Sequence, residues 1–145
     1  MRDGRLGRFL EAQEFCYPEV LAELRRARKT THWMWFIFPQ VAGLGSSAMS
    51  QRFAIGSLEE TRAYLDHPVL GARLRECSDL LLGTSERSAE EIFGSIDAMK
   101  LRSCMTLFAR AAQTERLFRD VLARYFDGVE DAATATLLDR TDSSL

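Results

Sequence analysis

Six consecutive apolar residues, Trp33-Met34-Trp35-Phe36-Ile37-Phe38, hold both tryptophans of the chain and leave neither a helix nor a strand a polar side. Such a segment has to be wrapped by protein on every face, so it marks the expected centre of the molecule. His32 and Gln40 bracket it, two groups that need hydrogen-bond partners once withdrawn from water. The expectation is a core with a polar edge. The run is short enough for a buried strand, but no second strand-like run exists to pair with it. A short buried helix ended by Pro39 fits better.

Punctuation elsewhere is helical. Ser57-Leu58-Glu59-Glu60 and Ser88-Ala89-Glu90-Glu91 read as capping boxes, in which the serine hydroxyl accepts from the third helical amide and the glutamate reaches back. Pro18 and Pro68 suit a first helical turn, where the missing amide would be unpaired anyway. Helices are expected near 5–16, 18–29, 47–54, 58–66, 68–82, 89–93, 96–112, 115–127 and 132–139. The predicted fold class is all-α: a compact single-domain bundle of about eight short helices, spanning 1–145 with no linker, repeat or low-complexity tract.

Composition bounds the function classes. A chain of 145 residues can bury about two thirds of its unfolded surface without disulfides or metals. With 46% hydrophobic and 28% charged residues it is too apolar for a disordered chain, and a net charge of −2 argues against nucleic acid as a partner. Cys16, Cys77 and Cys104 are odd in number and widely spaced, without a CxxC, which opposes a disulfide framework and a zinc site. No stretch approaches the roughly 18 apolar residues of a membrane span, and Met1 to Arg8 lack a signal-peptide core. A soluble, unprocessed cytoplasmic monomer is expected, without metal or cofactor.

Helix faces separate core from candidate chemistry. Leu117, Phe118, Val121, Leu122, Tyr125 and Phe126 sweep half of a helix expected to be central and to be capped by Asp127-Gly128. Leu101, Cys104, Met105 and Phe108 share a face, with Arg102, Thr106 and Arg110 pointing away. Cys77 stacks with Leu70, Leu74 and Leu81, so both thiols read as small core hydrophobes rather than nucleophiles.

Several polar residues remain to be placed. Gln13 falls on the apolar stripe of Leu6, Phe9, Leu10 and Tyr17, either as a satisfied core amide or as a pocket group. Lys100 lies at the edge of an apolar face near a helix start, either snorkelling or kept there to bind an anion. Arg25, Arg26, Arg28 and Lys29 read as water-facing cations at a helix C-terminus, or as a phosphate edge with Trp33 and Trp35 as stacking surfaces. His32 can be a structural residue or a general base, and His67 reads as a loop histidine. In Gly43-Leu44-Gly45-Ser46-Ser47, glycines permit close backbone approach, and the amides of the next helix with Arg52 one turn on would suit phosphate or carboxylate. The same serines also describe an ordinary N-cap.

Together, Phe9-Leu10-Glu11-Ala12-Gln13, His32-Trp33-Met34-Trp35-Phe36, Phe38-Pro39-Gln40, Gly43-Leu44-Gly45, Tyr64 through Leu74 and Lys100 through Phe108 resemble the bacterial family catalogued as domain of unknown function 1810. The resemblance covers nearly the whole chain and implies a compact, mainly helical domain of unestablished activity. Some members carry the label calpastatin, but calpastatin-type inhibitors are disordered, whereas this chain reads as independently folded. A fainter similarity, over Asp97 to Phe126, is to the helical glycosidase superfamily associated with NAD and ADP-ribose. It implies hydrolysis of an N-glycosidic bond, with the glycine-serine loop, Arg52 and Lys100 around phosphates and Trp33 or Trp35 on a ring. No catalytic residue carries over. The functional expectation is a phosphorylated or nucleotide-like ligand bound beside the aromatic core by Gln13, His32, Trp33, Trp35, Gln40, Gly43, Gly45, Ser46, Arg52 and Lys100; the alternatives are that glycosidase and a protein-interaction module.

Overall fold

The computed structural model describes residues 4–84 and 86–143. They form a 3-10 turn, Gly4–Leu6, and ten α-helices: α1 (Gly7–Glu14), α2 (Tyr17–Arg25), α3 (Met34–Ile37), α4 (Ala48–Arg52), α5 (Leu58–Asp66), α6 (Leu70–Gly83), α7 (Ala89–Phe93), α8 (Ser95–Ala111), α9 (Leu117–Phe126) and α10 (Ala132–Ser143). The all-α expectation holds. The aromatic run is the short buried helix α3, which stops before Pro39 as the Phe38 amide donates to the Met34 carbonyl at 3.0 Å. The one pairing of strand type among the described residues is an isolated parallel bridge between Val41 and Ile55.

The axis of the bundle is α8, not α9 as the amphipathic pattern suggested. It packs against α3, α5, α7, α9 and α10, and buries Leu101, Cys104, Met105, Leu107 and Phe108. Thr106, expected to point outward, is fully buried as well. Its hydroxyl donates to the Arg102 carbonyl at 2.8 Å and accepts the Asp131 amide at 2.9 Å, so the segment entering α10 closes over that face without stranding a polar group. By contrast α9 buries Phe118, Val121 and Leu122 on one side. It ends as predicted, with Asp127 at φ 55°, Gly128 at φ 77° and the Gly128 amide on the Leu122 carbonyl at 3.0 Å.

Helix starts follow the capping logic with two corrections. Ser88 and Glu91 form the full reciprocal box. Ser57 accepts the Glu60 amide at 3.0 Å, but the Glu60 carboxylate takes the Gly56 amide at 2.7 Å and pairs with Arg8 at 3.6 Å, because that guanidinium draws it away from the Ser57 backbone. Pro68 precedes α6 rather than opening it. There the His67 Nδ1 accepts the Val69 and Leu70 amides at 3.1 and 3.2 Å, which makes this loop histidine a helix-start acceptor.

The largest departure lies at the end of α2, expected to run to residue 29 but finished at Arg25. Ala27 adopts φ 55°, the Ala27 amide donates to Leu24 at 3.0 Å, and the Arg28 amide donates to Glu23 at 3.0 Å. This is a Schellman turn with alanine where glycine is usual, and the alanine methyl is buried. The strained conformation is held by Glu23, whose fully buried carboxylate accepts the Thr30 amide at 2.8 Å, the Thr31 amide at 3.1 Å, the Thr31 hydroxyl at 2.6 Å and the Trp33 indole N–H at 2.9 Å. Burial alone would raise the pKa of this carboxyl; the hydrogen bonds from Thr31, Thr30 and Trp33 outweigh it and bring it from 4.5 down to about 2.

A carboxyl with a depressed folded pKa contributes stability that is complete above its unfolded value and is lost as pH falls through its folded value. Glu23 therefore stabilises the fold fully above about pH 5, and its contribution fades toward pH 2. Glu23→Gln should lower stability at pH 7 by on the order of 3 kcal/mol. Denaturant titrations of both proteins from pH 7 to pH 2 should converge at the acid end; a constant gap would contradict this role.

Candidate functional site

The chain from Gln40 to Ile55 leaves the core, turns through α4 and returns. Two backbone hydrogen bonds tie its ends: Ile55 N–H to the Gln40 carbonyl at 2.9 Å, and Ala42 N–H to the Ile55 carbonyl at 2.8 Å. Arg8 from α1 clamps the returning segment, its Nε on the Arg52 carbonyl and its Nη2 on the Ala54 carbonyl, both at 2.7 Å. Inside this excursion lies a cavity of about 270 Å³, walled by Gln40 through Gly45, by Ser50 and Gln51, and by Phe53 and Ala54. Trp35 from α3 and Lys100 from α8 complete its lining.

Gly43 is at φ 101°, and a Cβ there would come to 3.4 Å from Leu137 of α10. A Cβ at Gly45 would come to 2.7 Å from the Ser50 hydroxyl. Both glycines are thus needed for the path of the wall, not only for ligand approach.

At the cavity edge the Lys100 ammonium lies 4.5 Å from the centre of the Trp35 ring and 3.4 Å from Asp97 Oδ1. Asp97 is shared: Lys29 Nζ reaches its Oδ2 at 2.8 Å while lying 5.2 Å from the Trp33 ring centre. The lysine expected to face water is therefore largely buried and ion-paired, because the turn at Ala27 carries it back against α8.

Half of the residues anticipated from sequence meet here: Trp35, Gln40, Gly43, Gly45 and Lys100 line the cavity. The others do not. Gln13 is the core amide, donating to the Phe36 carbonyl at 2.7 Å and the Tyr64 hydroxyl at 3.2 Å and accepting from Arg73 at 3.2 Å. Trp33 is buried with its indole N–H on Glu23, and His32 is exposed on the turn before it. Ser46 is exposed, its carbonyl taking the Gln51 amide group at 3.2 Å. Arg52 is exposed, its guanidinium 5.2 Å from the Phe53 ring centre. The start of α4 is capped by its own chain, with Ser47 Oγ accepting the Ser50 amide at 3.1 Å, so the plain N-cap describes these serines.

Sequence reasoning missed Asp97, Arg8 and Glu23, and read Lys29 as a water-facing cation or phosphate edge rather than as the close partner of Asp97. The three-residue spacing of Asp97 and Lys100 was a visible signal for their pairing. Thiol chemistry has no support: burial raises the Cys77 pKa to about 12, that of Cys104 well above the ordinary value, and that of Cys16 too. Among the described residues no group of three or more His, Cys, Asp or Glu side chains could hold a metal ion, and no helix is long and apolar enough to cross a membrane.

A family model described as a protein of unknown function, DUF1810, matches residues 3–138. The crystal structure of a conserved hypothetical protein, Rv1873, from Mycobacterium tuberculosis is similar at 52% sequence identity and a TM-score of 0.91, over 92% of this chain and 96% of that one. A search of curated proteins finds no match.

Because Gly43 needs a positive φ, Gly43→Ala should destabilise by about 2 kcal/mol and lower Tm by roughly 6 °C. Gly56→Ala, where the added carbon would meet only Glu60 at 3.7 Å, serves as the comparison and should change little. Equal melting of the two variants would show that the wall does not depend on that backbone conformation.

Proposed function

We propose that this chain, which belongs to the DUF1810 family, binds a small phosphorylated or nucleotide-like molecule in the cavity between the Gln40–Ile55 excursion and α8. The main support is Lys100 poised over the half-buried Trp35 at the cavity edge: one cation for an anionic group and one aromatic face for a ring. Gln40, the Ser50 hydroxyl and the backbone of the glycine turn add polar partners around it. Three free cysteines suit a protein kept in the reducing cytoplasm, where it would act as a monomer.

Binding is favoured over N-glycosidic hydrolysis. Glycoside hydrolysis ordinarily uses carboxyl groups facing the scissile bond, and among the described residues none of the side chains lining this cavity is Asp or Glu. Asp97, the acid paired with the cavity-lining Lys100, is engaged by two ammonium groups.

Thermal melting with adenosine monophosphate, NAD, ADP-ribose and inorganic phosphate is the direct test. A ligand at one hundred times its Kd should add about 2.7 kcal/mol. The shift should disappear in Lys100→Ala. Silence across the panel, or an undiminished shift in that variant, would remove the reading.

A further inference from the structure

The geometry points to Lys29 as a positioning residue that frees Lys100 to capture the anionic group of a mononucleotide-like ligand, an inference that rests on the binding reading above. Two lysines contact one carboxylate through different oxygens, and they are not equivalent. Lys29 is the closer, at 2.8 Å, with a side chain 7% exposed; Lys100 is the looser, at 3.4 Å, with a side chain 21% exposed. Only Lys100 lines the cavity.

The cluster of Lys29, Asp97 and Lys100 carries one positive charge in excess, and the less buried lysine, Lys100, is the one able to deliver it. For Lys100 to turn toward an incoming anion it has to leave Asp97. Were it the only cation there, the move would strand a largely desolvated carboxylate, a cost that would cancel much of the gain from the ligand. With Lys29 in place Asp97 keeps a close partner. Lys29 itself is fixed: its own amide donates to the Ile92 carbonyl at 2.8 Å, its ammonium lies against Trp33, and the two residues after it are held by the Glu23 carboxylate.

The same movement sets the ligand class. While paired with Asp97, the Lys100 ammonium covers the Trp35 ring at 4.5 Å. When it swings to an anion it uncovers that ring, so charge capture and access to an aromatic face are coupled. A molecule carrying both a phosphate and a flat ring uses both, and a cavity of about 270 Å³ favours a mononucleotide over a dinucleotide.

Calorimetric titration with adenosine monophosphate, read in parallel by quenching of tryptophan fluorescence, tests this. Lys29→Met should bind about tenfold more weakly although residue 29 does not line the cavity, because Lys100 is then retained by Asp97. Asp97→Asn should bind about threefold or more tightly, and the double variant Lys29→Met with Asp97→Asn should recover affinity to within about twofold of the parent. Lys29→Arg should behave as the parent. Unchanged affinity in Lys29→Met, or weakened affinity in Asp97→Asn, would overturn the inference while leaving ligand binding intact. If circular dichroism shows that Lys29→Met does not fold, the direction of the Asp97→Asn change decides. No response of the parent protein to adenosine monophosphate would remove this inference, while the binding reading itself stands or falls with the full ligand panel.

Discussion

Four hydrogen bonds converge on the carboxylate of Glu23, and the geometry of the candidate site depends on them. Two come from the backbone of Thr30 and Thr31, one from the Thr31 hydroxyl and one from the Trp33 indole. A buried carboxylate without such donors would lose its charge or unfold its surroundings; with them it stays ionised and fixes the chain in a reversal that local preference alone would not choose. That reversal ends α2, turns Lys29 toward α8 and sets the depth at which α3 enters the core.

From that anchor the order extends outward. Trp33 packs on Phe38 and Phe93 with ring centres 6.2 and 6.3 Å apart, and two residues later Trp35 emerges at the cavity edge. Gln13 holds the other side of α3 through the Phe36 carbonyl, so the aromatic helix is fastened from α1 as well as from α2. The excursion beyond Gln40 is tied to this frame by its two-bond bridge and by Arg8. The excursion is thus held against three helices, α1, α3 and α8, which fix the walls of the cavity.

Much of the helical architecture was legible in the sequence, because periodicity and capping are local. Ser88 with Glu91, Asp127 with Gly128 and the apolar run ended by Pro39 each announce an element through neighbours a few residues apart. The stop of α2 was not legible: its turn uses Ala27, which lacks the glycine signal, and its stabilising group lies four residues earlier on the helix itself. Thr106 misled for a related reason, since a hydroxyl that bonds its own helix and a distant amide is polar in sequence and apolar in effect. Of the candidate site, the glycine turn, Trp35, Gln40 and Lys100 were visible as residue types out of keeping with their surroundings. The partnership of Lys29 with Asp97 spans distant segments and follows from the turn alone.

Hydrogen exchange of the Thr30 and Thr31 amides, measured between pH 7 and pH 4 alongside core amides of α8, tests the anchoring role of Glu23 most directly. Both amides lie on an exposed turn, yet the account predicts protection close to that of the α8 core, since releasing them requires breaking a buried charged network. Exchange at the rate of an unstructured loop while α8 stays protected would contradict it.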